Sequence, residues 1–273
     1  MIKRTPPPAA EPEPNTPAWA DLEPNLPRLL RPLEPISLTQ MAEVALLDRF
    51  ETKYIFHRDR LAAALADLAD EYRVLEINGS PLNHYLTLYF DTSGFALYYR
   101  HHAGGLNRYK VRSRAYLDTG VSFIEVKRKI NRYRTVKTRV GTVEFTDRIS
   151  PETVDFLDMH LPANEWQLEP KLWNRYIRVT LVGKRSPERV TLDLDLSFLT
   201  NDGQQALLPA LVIGEVKRGD AGRDSAFIRR MRAMSIRTSS FSKYCVGTAM
   251  LYDQVKRNRF LPTLRQVGKI TQE

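Results

Sequence analysis

The sequence predicts a mainly β, α+β fold: an eight-stranded antiparallel barrel with a charged interior, covered by helices. Three observations predict it. From residue 49 onward the dominant hydrophobic period is two, the repeat of a strand with distinct faces. Helical periodicity is confined to a few short stretches between the alternating runs. On six of those runs one face is charged, and mostly cationic, where an ordinary half-buried strand would be mixed polar.

The elements follow in order. Residues 1–36 hold ten of the 17 prolines, too rich in extended conformers and too poor in apolar surface for a core. They are expected to form a disordered tail that ends in a short docking stretch. Strands are predicted at 49–57, 84–91, 106–117, 121–129, 132–140, 172–183, 189–198 and 210–218. Arg58 to Tyr72 places Leu61, Leu65 and Leu68 at helical spacing in an alanine-rich body, which predicts a helix. Ser150-Pro151-Glu152 offers a capping hydroxyl and then proline at the first helical position, so a helix over 150–160 is expected. Residues 221–234 and 242–256 also read as helical, and Ala103-Gly104-Gly105 as a turn. The domain is thus expected over 37–260, followed by a basic tail at 261–273 that carries Arg265 and Lys269.

The charged faces are specific. In 106–115, Arg108, Lys110, Arg112 and Arg114 share one side, while Tyr109, Val111, Ser113 and Ala115 take the other. Glu125, Lys127 and Lys129 share a face on the next strand, and Lys137 with Arg139 on the one after. Arg189, Asp193 and Asp195 oppose Val190, Leu192, Leu194, Leu196 and Phe198. Glu215 and Lys217 oppose Val212 and Val216; Arg49, Glu51 and Lys53 oppose Phe50, Tyr54 and Phe56. One such strand would ordinarily be a sheet with one wet face. Six together put like charges beside one another, which is unfavourable unless an anion sits among them. Charge-assisted hydrogen bonds from Arg and Lys would hold phosphate oxygens there. The carboxylates Glu51, Glu125, Asp193, Asp195 and Glu215 are of the type that binds Mg2+ or Mn2+ together with phosphates.

Bulk composition narrows the classes. Hydrophobic residues at 42% and aromatics at 10% supply a core, and a net charge of +9 favours an anionic partner. The lone Cys245 excludes an internal disulfide and a cysteine zinc site, and no run is long and apolar enough to span a membrane. A cytoplasmic protein is expected. His84, His101 and His102 lack the spacing and acidic partners of a metal site, and His57 is expected to cap the turn after the first strand. Tyr98, Tyr99, Tyr109 and Tyr116 fall mostly opposite the arginine row, which argues against a nucleic-acid platform.

The motifs also resemble a family. Arg49-Phe-Glu51-Thr-Lys53-Tyr54, Tyr109-Lys110-Val-Arg112-Ser-Arg114, Phe123-Ile-Glu125-Val-Lys127, Tyr176-Ile-Arg178, Arg189-Val-Thr-Leu-Asp193, Glu215-Val-Lys217 and Phe241-Ser242-Lys243-Tyr244 follow the order of the VTC domain. That is the polyphosphate polymerase module within the triphosphate tunnel metalloenzymes, or CYTH superfamily. Each motif is weak alone; seven in register over about residues 48–256 are specific. The resemblance implies an eight-stranded tunnel and transfer of the ATP γ-phosphate to a growing polyphosphate chain, with manganese or magnesium. It implies that Lys53, Arg112, Arg114, Lys127, Arg139 and Arg178 grip phosphates, and that Lys110, Lys137, Lys217 and Lys243 add contacts. Glu215 is implied as the metal ligand, with Glu51, Glu125 and Asp193 as further candidates.

Two departures matter. The hydrolytic branch opens with Glu-x-Glu-x-Lys, whereas Arg49 stands here at the first of those positions, as in the polymerase branch. A proline-rich tail stands where yeast-type members carry an SPX domain, and no membrane segment follows, so coupling to translocation is not expected. A metal-dependent triphosphatase, or a non-catalytic binder of polyphosphate or nucleic acid, could use the same cage and remains open.

Overall fold

A computed structural model of the chain describes residues 26–43, 50–131, 135–162, 166–219 and 225–272. In chain order the elements are α1 (Leu26–Leu30), β1 (Glu34–Ile36), α2 (Leu38–Glu43), β2 (Phe50–His57), α3 (Leu61–Leu65), β3 (Tyr72–Leu75), β4 (Asn83–Asp91) and α4 (Ala96–Ala103). Then come β5 (Arg108–Tyr116), β6 (Val121–Lys129), β7 (Thr135–Thr142), α5 (Pro151–His160), β8 (Glu169–Gly183), β9 (Glu188–Leu199), β10 (Gln205–Leu208) and β11 (Leu211–Arg218). Three helices end the chain: α6 (Ala226–Ala233), α7 (Lys243–Leu251) and α8 (Leu261–Gln272).

All eight predicted strands exist, and they form one antiparallel path in the order β2-β11-β9-β8-β4-β5-β6-β7. Pairing does not close between β2 and β7 among the described residues. The sheet nevertheless curls far enough for side chains six steps apart on the path to meet: Lys127 Nζ on β6 lies 3.8 Å from a carboxylate oxygen of Glu51 on β2. The concave face carries the charges. Its convex face packs the apolar residues under helices. Tyr54, Phe56, Val190, Leu192, Val212 and Val216 bury against α1, α3 and α6, while Val111, Ile124 and Val126 bury against α5.

One end of the concavity is filled. Helix α7 brings Tyr244, Cys245 and Val246 into a cluster with Ile55, Tyr89, Leu172, Phe198 and Leu211. Gly247 is what lets the helix come so close, because a Cβ there would meet Phe198 at 2.6 Å and Leu172 at 2.7 Å. Strand β9 must change face to contribute. Asp195 adopts φ +47, and the β8–β9 register shifts between Arg175 and Ile177. Before this irregularity Val190, Leu192 and Leu194 face the outer core; after it Leu196 and Phe198 face the α7 cluster. The expectation that Asp193 and Asp195 share a face is corrected accordingly: Asp195 pairs with Arg58 at 3.0 Å, apart from Asp193.

Other expectations shift. The helix expected over Arg58 to Tyr72 is a 3-10 turn, a single α-helical stretch to Leu65 and then strand β3, with Asp67 at φ +61 beyond the helix. His57 does cap that 3-10 turn, accepting the Asp59 N–H at 3.2 Å. The docking stretch is longer than a tail's last residues: Leu26, Leu30, Leu33 and Ile36 are buried, and β1 pairs in parallel with β3. Residues 1–25 lie outside the described residues. The 261–273 segment is α8 over most of its length, not a tail, since Thr263, Val267 and Ile270 bury one face of it. No helix among the described residues is long and apolar enough to cross a membrane.

Candidate functional site

The inward face follows from strand parity and register. On β5 it presents Lys110, Arg112, Arg114 and Tyr116; on β6, Lys127, Glu125, Phe123 and Val121; on β7, Lys137, Arg139 and Gly141. Lys110 stands directly opposite Lys127, and Lys127 directly opposite Lys137. Such like-charge rungs are unfavourable in a free sheet. From the other wall come Glu51 and Lys53 on β2, Glu215 and Lys217 on β11, Asp193 on β9 and Arg178 on β8.

These residues meet in three groups. In the first, Glu215 is bridged by Lys53 and by Lys217, the latter at 2.8 Å, while Glu51 lies 3.9 Å from Lys53 and 3.8 Å from Lys127. Burial acts to raise the Glu215 carboxyl, but Lys217 and Lys53 hold it well below its ordinary value. Glu51 is lowered too: burial and the neighbouring Glu215 oppose this, and Lys127, Lys53 and Lys217 outweigh them.

In the second group, Glu125 accepts a 2.6 Å hydrogen bond from Arg112 Nε and is also bridged by Lys137. Its side chain is 1% exposed, yet the surrounding Arg112, Arg114 and Lys137 overcome burial and keep the carboxyl far below its usual range. In the third, Arg178 grips Asp193 in a fork at 2.6 and 2.9 Å, and Lys243 bridges the same carboxylate. Lys243 stands at the first position of α7, just after Ser242. The Ser242 hydroxyl caps that helix and accepts a 2.7 Å hydrogen bond from Lys110.

Lysines outnumber the anions available to them. Burial pushes Lys127, Lys137 and Lys243 down to about 8, only partly offset by Glu51, Glu125 and Asp193 respectively. Arg114 is the plainest case. It is 7% exposed, donates to the Thr87 hydroxyl at 3.3 Å and lies 5.6 Å from the Tyr85 ring centroid, with no carboxylate bridge among the described residues. Arg139 lies 4.2 Å from the centre of the Phe123 ring. The histidines stay out of this arrangement: His84 bonds Asp118, His101 the Tyr109 carbonyl and His102 Asn258.

Chemically, the interior is a cage of cationic donors interleaved with carboxylates paired to them. The family profile of the VTC domain matches residues 48–252. The chain belongs to the VTC-domain family. That VTC domain runs from the start of β2 to just past α7 and so contains all three charge groups. Among solved structures, the chain is similar to a candidate adenylyl cyclase from Hippeastrum that has a dominant triphosphatase activity. Identity is 13% and the TM-score 0.44, over 75% of this chain and 96% of that one. It is also similar to candidate adenylate cyclases from Bacillus halodurans (12%, TM-score 0.44) and Vibrio parahaemolyticus (16%, TM-score 0.41), each over 71% of this chain and 94% of the other. No curated protein sequence matches it.

Of the site residues expected from sequence, all but Asp195, which pairs with Arg58, lie on the concave face of this VTC domain or at its α7 end; Arg49 falls outside the described residues. Four participants were not singled out: Ser242, Thr87, Tyr85 and Tyr176. Ser242 and Tyr176 lay inside quoted motifs without a role, and the position of Ser242 before a helical run is an N-cap signal. Tyr85 and Tyr176 stack at 5.0 Å under Arg178, an arrangement that only the β4–β8 register creates.

Proposed function

We propose that this protein is an ATP-dependent polyphosphate polymerase. It moves the terminal phosphoryl group of ATP onto the end of a polyphosphate chain held in the cationic interior. One observation carries the choice: Glu125, Asp193 and Glu215 are each bridged by two cationic side chains, which ties them into the cage and leaves none of the three free beside an attacking water. A polyphosphate end is already an anion and needs no base. The family membership and Arg49 in place of the first hydrolase carboxylate support the same reading.

In this scheme Lys53, Lys127, Lys217, Arg112, Arg114 and Lys137 exchange their bonds to carboxylates and water for bonds to phosphate oxygens, neutralising charge as it shifts in transfer. Arg178, fixed by Asp193, keeps one guanidinium orientation and aligns donor and acceptor. Lys243, with Lys110 held by Ser242, lines the closed end. The acceptor's terminal oxygen forms a bond to the γ-phosphorus, the bond from that phosphorus to the bridging oxygen breaks, and ADP leaves with the electron pair.

Glu215 and Glu51 fit a divalent cation. They face the same interior from adjacent strands and sense each other's charge, and both are hard oxygen donors. Among the described residues no three acidic, histidine or cysteine side chains gather as a complete site, so phosphate oxygens would supply the remaining ligands. Glu125 and Asp193 fit less well, each being almost fully buried and engaged by an Arg and a Lys. When bound, Mn2+ or Mg2+ supplies positive charge to the phosphates.

The test is incubation of purified protein with ATP and Mn2+, following ADP and polymer on a gel, beside Glu215→Gln. Growing chains that the substitution abolishes are expected. Release of ADP and orthophosphate without polymer would move the protein to hydrolysis.

A further inference from the structure

The concave face changes character along its length. On β5 the inward residues run Lys110, Arg112, Arg114 and then Tyr116; on β6 they run Lys127, Glu125, Phe123 and Val121. On β7 they run Lys137, Arg139 and Gly141. Away from the α7 end, charge therefore gives way to aromatic surface. The rings are joined: Phe123 meets Tyr116 edge-to-face at 5.9 Å, and Tyr116 meets Tyr85 at 5.0 Å. Val121 beside them is 45% exposed, so the aromatic stretch lies at an open rim. Above Phe123, Arg139 is exposed, and its guanidinium carbon stands 4.2 Å from the ring centre. Gly141 opposite Phe123 leaves the space beside that ring clear, since even an added Cβ would come no nearer than 4.0 Å.

Inorganic polyphosphate has no use for such a surface. A ligand with an anionic end and a planar, weakly polar end does. We propose that Phe123, Tyr116 and Arg139 form a nucleobase subsite at the rim, which holds the base of the nucleoside triphosphate donor while its phosphates reach Arg114 and Arg112. This rests on the polymerase reading for the identity of the donor. The spacing suits it: Arg112 and Tyr116 are four residues apart on one strand, roughly 13 Å at the usual rise. Base recognition here is by stacking on rings and on the Arg139 plane, so purine nucleotides of either kind are accepted and the triphosphate sets the phosphate register.

The experiment compares binding of a non-hydrolysable ATP analogue with binding of inorganic tripolyphosphate by calorimetry, using the full chain. Phe123→Leu removes the ring and keeps apolar volume; Gly141→Leu adds a side chain beside the ring at a position where a Cβ has room. Each is expected to weaken the ATP analogue about tenfold, the scale of one lost base stack, and to leave tripolyphosphate within twofold. Equal loss for both ligands, or loss for neither, overturns the subsite while leaving the phosphate cage intact. A native protein that binds neither ligand overturns the polymerase reading, and the subsite with it. Thermal melts of both variants separate a binding effect from unfolding.

Discussion

Glu125 shows what the cage's carboxylates do in the absence of ligand. Its side chain is 1% exposed and answers both Arg112 and Lys137. Glu125→Gln would leave the enclosed Arg112 guanidinium, and the more exposed Lys137, without that counter-charge. A broken buried ion pair costs about 3–5 kcal/mol, and each 1 kcal/mol lowers the midpoint by roughly 2–4 °C in a domain of this size. Thermal denaturation is expected to show that loss. Saturating tripolyphosphate should recover a large part of it, because a ligand that binds only the folded state adds its binding energy to stability. A variant as stable as the native protein would mean that water already neutralises these cations, and the cage would then not be under charge strain. The same logic separates Glu125 and Asp193, which hold cations in place, from Glu215 and Glu51, which lie nearer solvent with side chains 17% and 28% exposed.

At the scale of elements, α7 carries function through packing. Its first residue is Lys243, its cap is Ser242, and Tyr244 donates to Asp91, which also takes the backbone N–H groups of Leu97 and Tyr98 at the start of α4. Gly247→Ala would place a Cβ 2.6 Å from Phe198 and push the helix away. Overpacking of this kind costs about 1–3 kcal/mol. Urea denaturation should report that cost, and polyphosphate affinity should fall with it as Lys243 and the Lys110–Ser242 bond shift. Unchanged affinity in a destabilised variant would show that the α7 end takes no part in binding. How far these elements could be read from sequence depended on how local their cause is. Six of the eight strands were legible because inward charge alternates with outward apolar residues along them. The reversal of β9 was not, because Asp195 takes a left-handed backbone with no glycine to announce it. The alanine-rich stretch after Arg60 read as one long helix, since its early end at Leu65 is imposed by the pairing of β3 with β8. Most of the cage's membership was legible, yet the pairing of Lys110 with Ser242 was not, because it joins a strand to a helix 132 residues later.

The molecule as a whole balances an interior suited to an absent polyanion against its own stability. Lys127, Lys137 and Lys243 sit near 8 in the folded chain, while an unfolded lysine titrates near 10.4. Between these values the unfolded state binds more protons than the folded one, so stability of the free protein rises with pH. Below about 8 the three lysines are charged in both states, and the cost of holding that charge in the interior is present, most for Lys243 and less for Lys127 and Lys137, whose side chains are 38% and 33% exposed. Ligand binding must run the other way. A polyanion favours protonated lysines, so its affinity is greatest below about 8 and declines as they discharge. Melting temperatures of the free protein should therefore climb from pH 7.5 to roughly 9.5, short of the tyrosines, while tripolyphosphate affinity falls over the same interval. Both slopes should flatten together in Lys127→Met/Lys137→Met, which removes two of the three titrating charges. Parallel slopes, with stability and affinity falling together, would show that the cage's cations are already well compensated without ligand, and the concave face would then be an ordinary solvated surface.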